Sequence, residues 1–71
     1  MKRNFNVLIE KDEDGWFVSS VVELPGCHTQ AKNLDQLMER TKEAIHVYLE
    51  SAEGKEISEE FVGMQQINIE V

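Results

Sequence analysis

One cysteine, one proline and two histidines stand among 71 residues. A lone cysteine, Cys27, rules out an internal disulfide framework and fits a reducing, cytoplasmic setting. With no second cysteine or paired histidine at ligand spacing, no zinc site is expected. Cys27 and His28 are neighbours, and on a strand neighbours point to opposite faces, so they do not share a metal. There is no glycine-rich phosphate loop, so no cofactor is expected. No long apolar run follows Met1-Lys2-Arg3, so neither a signal peptide nor a membrane span is expected. Basic residues are scarce: 7 Lys and Arg face 14 Asp and Glu, a formal charge of −7. That balance argues against unaided nucleic-acid binding, which needs clustered Lys and Arg. It suits solubility, or an encounter with a basic protein.

What remains reads as a single domain over residues 1–71. Phe5, Val7 and Ile9 alternate with Asn6, Leu8 and Glu10, the two-residue period of a strand. Lys11-Asp12-Glu13-Asp14-Gly15 is turn chemistry with a hairpin Asp-Gly. Trp16 to Val22 is a second strand with Trp16, Val18 and Val22 on one side and Phe17 and Val21 on the other. A strand apolar on both sides is expected inside a sheet with cover on both faces. Leu24-Pro25-Gly26 turns the chain, and Cys27 to Gln30 supplies a short third strand.

A long amphipathic helix is predicted from Asn33 to Gly54. Leu34, Leu37, Met38, Thr41, Ala44, Ile45, Tyr48, Leu49 and Ala52 recur at steps of three and four. Asn33 is the N-cap, with Gln36 at the capping-box position, and Gly54 is the stop. Ser58-Glu59-Glu60 reads as the cap of one further helical turn. Met64 to Val71 alternates again, with Ile67, Ile69 and Val71 on one face.

The order β-β-β-α-β defines an α+β fold. A crossover through the helix favours a last strand parallel to the first. The expected sheet is therefore four-stranded and mixed, of order 3-2-1-4, with the helix on one face. Its last strand is an exposed edge, and such edges invite pairing with another chain. A homo-oligomer through a sheet face or edge strand follows; a chain this short has a thin core of its own.

Two elements at a set separation carry a resemblance. The run Ile9 to Val18, with its Asp12-Glu13-Asp14-Gly15 turn, precedes Glu23-Leu24-Pro25-Gly26-Cys27-His28-Thr29-Gln30. Together with Lys42-Glu43-Ala44-Ile45 and Tyr48-Leu49, these resemble the HicB antitoxin family over residues 5–52. The resemblance implies a partial RNase H-like fold. It also implies a non-catalytic antitoxin that binds and neutralises a small basic mRNA interferase of HicA type. Many such proteins carry a C-terminal DNA-binding segment; this sequence stops after the fourth strand, so no direct DNA binding is expected. Asp12, Glu13, Asp14 and Glu23 are the expected partners for toxin cations, with Trp16 and Phe17 as apolar contacts.

The alternatives are a stand-alone homo-oligomeric interaction module with another client, or a reduced RNase H-like nuclease. A two-metal nuclease needs carboxylates converging on one point. Asp12, Glu13 and Asp14 instead splay from a hairpin tip, so no catalytic residue and no metal ligand is assigned.

Overall fold

Asp12 closes the first hairpin. Its backbone N–H donates to the Trp16 carbonyl at 2.9 Å, and its own carbonyl accepts from Gly15 at 3.1 Å. Gly15 has a φ of 86°, the left-handed region that glycine enters without steric cost. The strands so joined are β1 (Val7–Lys11) and β2 (Phe17–Val21), paired antiparallel with Ile9 opposite Ser19.

The second turn has Pro25 and Gly26 at its centre. The Cys27 N–H donates to the Leu24 carbonyl at 2.9 Å, and Gly26 has a φ of 83°, as a type II turn requires. It leads to β3 (His28–Ala31), antiparallel to β2, giving a three-stranded sheet of order β1-β2-β3.

The helix α1 spans Leu34–Glu50. Asn33 caps it as expected, its side-chain oxygen accepting from the Gln36 N–H at 2.8 Å. The other end differs from expectation. Ser51 leaves the helix with extended backbone, and both its N–H, at 3.1 Å, and its hydroxyl, at 2.6 Å, close on the Tyr48 carbonyl. That double bond to one carbonyl ends the helix before Gly54 is reached.

This computed structural model describes residues 3–51 and 59–71. The expected stop at Gly54, the stripe residue Ala52 and the cap Ser58 lie outside the described residues. Glu59 and Glu60 are not helical.

The core forms where α1 crosses β2 and β3. Val21, Leu24, Cys27, Ala31 and Leu37 are buried, with Phe5, Val7, Ala44, Ile45, Tyr48 and Leu49 packed around them. Of the stripe predicted on the helix, Leu37 and Thr41 are buried and Met38, Ala44, Ile45, Tyr48 and Leu49 partly so, while Leu34 is exposed. A polar pair lies within this core. The Ser19 and Thr41 hydroxyls meet at 2.8 Å, and Thr41 donates onward to the Leu37 carbonyl at 2.6 Å. Thr41→Val would leave Ser19 without its partner, a loss of about 1–3 kcal/mol. The double variant Ser19→Ala/Thr41→Val should recover much of it, because no polar group is then left alone. Urea unfolding of the four proteins in the cycle checks this.

Residues 59–71 make no strand. The fourth strand and the order 3-2-1-4 are therefore not seen in the single chain; the place beside β1 has no strand in it among the described residues. A strand exists only through its ladder, and Ile67, Ile69 and Val71 are exposed without one.

Candidate partner-binding surface

The pairing register sorts the side chains. Ser19, Val21 and Ala31 are buried and so define the helix side of the sheet. Leu8, Ser20 and His28 form one row on the opposite side, and Glu10, Val18 and Gln30 form the next. That face carries no covering layer among the described residues, and Leu8 stands 44% exposed on it. It is mixed in character, with apolar Leu8, Trp16 and Val18 set among polar neighbours.

The acidic tip adjoins this face. Asp12, Glu13 and Asp14 are all exposed. They differ in what their side chains do. One oxygen of the Asp12 carboxylate accepts from the Asp14 N–H and from the Trp16 N–H, each at 2.9 Å. Asp12 therefore shapes the loop, while Glu13 and Asp14 extend from it. Trp16 is half-buried, and the Lys32 ammonium sits over its ring, 5.0 Å from the centroid. Sequence reasoning did not pair these two. The signal lay in the register, since Trp16 and Lys32 immediately flank the Phe17–Ala31 pair.

The remaining two candidates lie elsewhere. Phe17 points to the helix side, with the Lys11 ammonium 5.3 Å from its ring centroid. Glu23 belongs to the opposite end of the hairpin and is buried. Its two oxygens accept from the Asn6 backbone N–H at 2.8 Å and the Asn6 side-chain amide at 2.7 Å. Burial pushes its carboxyl pKa up, but the bonds from the Asn6 side chain and backbone, and from its own backbone, outweigh this and hold it below its ordinary value. Glu23 was expected, like Asp12, Glu13 and Asp14, to pair with toxin cations; in the single chain its carboxylate bonds Asn6 instead, at the other end of the hairpin.

A concavity of about 630 Å³ opens between the Gly26–Thr29 segment and the second half of α1. Cys27 and His28 both border it, but burial pushes the Cys27 thiol up, the reverse of what a nucleophilic thiolate needs. Among the described residues no three His, Cys, Asp or Glu side chains come together as a metal site, and no helix is long and apolar enough to cross a membrane.

These features define a small α+β domain with an ordered acidic tip beside an open sheet face. The sequence matches, over residues 5–69, the family described as HicB-like antitoxin of bacterial toxin–antitoxin systems, and the chain belongs to that family. It is similar to a UPF0150 protein of Archaeoglobus fulgidus, 57% identical over 65 residues, covering 92% of this chain and 93% of the relative. A UPF0150 protein of Synechocystis is 41% identical over 66 residues, covering 93% of this chain and 94% of the relative. One from Thermotoga maritima is 35% identical over 72 residues, covering 99% and 95%.

Proposed function

We propose that this protein is the antitoxin of a toxin–antitoxin pair, a non-catalytic domain that binds and neutralises a small basic mRNA interferase of HicA type. The observation that carries the reading is the family match through residues 5–69. The exposed carboxylates of Glu13 and Asp14, on a loop braced by Asp12, suit a cationic partner. Trp16 and Leu8, on the adjoining face, provide apolar area for the centre of the contact. Phe17 supports the tip from the helix side rather than meeting the partner, and Glu23 braces the base of the hairpin. The protein self-associates through a sheet face or an edge strand, which supplements its thin core.

The test is co-expression with a small basic HicA-type toxin, pull-down, and an mRNA cleavage assay. A stable complex and suppressed cleavage are expected. Glu13→Lys/Asp14→Lys should weaken binding by about tenfold or more, which is about 1.4 kcal/mol or above. The effect should shrink as salt rises. No complex with such a toxin, or suppression indifferent to the charge reversal, refutes the assignment of that surface.

A further inference from the structure

The two edges of the sheet are unlike. At β3 the Arg40 guanidinium donates to the Gln30 carbonyl at 2.8 Å, so a charged side chain occupies that rim. At β1 nothing similar is found among the described residues. The Asn6 carbonyl accepts from Val22, and the Asp12 N–H donates to Trp16. Antiparallel bonding alternates, so even-numbered residues of this strand bond to β2, while Val7, Ile9 and Lys11 direct their N–H and carbonyl groups outward.

The side chains of this strip tell the same story. α1 lies over β3 and β2 and does not extend over β1. Ile9, on the helix side, is consequently 47% exposed. A cleft of about 310 Å³ is lined by Phe5, Ile45 and Leu49 together with Arg3, Lys42 and His46. Phe5, two residues before β1, brings this trough to the start of the open strand edge.

The same chain carries a segment of matching character. Ile67, Ile69 and Val71 alternate with polar residues, and are 76%, 70% and 119% exposed. No backbone hydrogen bond among the described residues involves residues 59–71. Ile67 to Val71 equals β1 in length, five residues each. The family match extends through residue 69, and so takes in Ile67 and Ile69.

We propose that the occupant of the β1 edge is the segment Ile67–Val71 of a second copy of this chain. Its backbone pairs with Val7, Ile9 and Lys11, and Ile67, Ile69 and Val71 lie over Ile9 and the Phe5–Ile45–Leu49 trough. The exchange is reciprocal: each copy gives its segment and receives the other's. Such a two-fold contact closes on itself, and both edges are covered without an open filament. Residues 59–71 form no ladder with their own β1, which argues for the neighbouring copy over return to the same sheet. This gives the proposed self-association a site, and it is independent of the toxin reading, which the cleavage assay tests separately.

The test uses the full chain. Light scattering should give at least twice the chain mass of 8.2 kDa. In a sample mixing ¹⁵N-labelled and ¹³C-labelled copies, isotope-filtered NMR should show contacts between the Val7, Ile9 and Lys11 amides of one copy and the Ile67 and Ile69 methyls of another. Ile67→Lys/Ile69→Lys should remove those contacts and reduce the mass to that of one chain. A monomer overturns both the exchange and the self-association, and contacts confined to one chain overturn the exchange. An oligomer whose contacts map instead to Leu8, Val18 and His28 overturns the exchange and leaves self-association standing.

Discussion

Leu37→Ala is expected to lower the unfolding free energy by about 2–5 kcal/mol, the cost of a cavity where a buried leucine stood. Leu37 is fully buried, and its carbonyl also receives the Thr41 hydroxyl. A domain of this length has a total stability of roughly 4–11 kcal/mol. The substitution therefore removes a large share of it and lowers the melting transition by roughly 8–40 °C. Thermal and urea unfolding at fixed protein concentration measure the effect. A variant that melts with the parent would mean that α1 does not hold the sheet together. Leu34→Ala is the natural control, because Leu34 belongs to the same sequence stripe yet is exposed, and its removal should cost little.

The second large effect concerns Glu23. Glu23→Ala strips the partners from the Asn6 N–H and its side-chain amide, a loss of about 1.5–3 kcal/mol for hydrogen bonds to a charged group. The contribution also depends on pH. The folded carboxyl titrates below its ordinary value of 4.5, because the hydrogen bonds to the carboxylate exceed the opposing effect of burial. A depressed carboxyl contributes stability that is present above the unfolded pKa and disappears as pH falls through the folded one. The parent should thus hold this contribution at neutral pH and lose it on acidification below about pH 4.5. Glu23→Gln should be less stable at neutral pH, and the gap to the parent should narrow in acid. Urea midpoints from neutral pH down to pH 3 measure it. A gap that stays constant across that range would show that the carboxylate's charge is not what holds Asn6.

The local elements were legible because each rests on chemistry that neighbours in sequence share. Asp12-Glu13-Asp14-Gly15 makes its hairpin, Pro25-Gly26 makes its turn, and Asn33 caps its helix within three residues of itself. Alternation also put Phe17 and Val21 on one side, and the residue between them, Ser19, shares that side and is buried against Thr41. The surroundings of Glu23 were not legible, for a different reason. Its acidity suggests solvent, and only the approach of Asn6, 17 positions away, makes its burial tolerable. The fourth strand marks a further boundary. Alternation in Met64 to Val71 identifies a segment capable of pairing, but a pairing partner is a tertiary or intermolecular fact that periodicity does not contain.

The bracing of Glu13 and Asp14 by the Asp12 carboxylate has a consequence for recognition. Two backbone amides of the loop are already tethered before any partner arrives. Ordering a flexible loop on contact subtracts from affinity, and a pre-organised one escapes that deduction. On the proposed reading, the tip would meet its partner as a fixed prong, with the gain expected chiefly in how slowly that partner leaves.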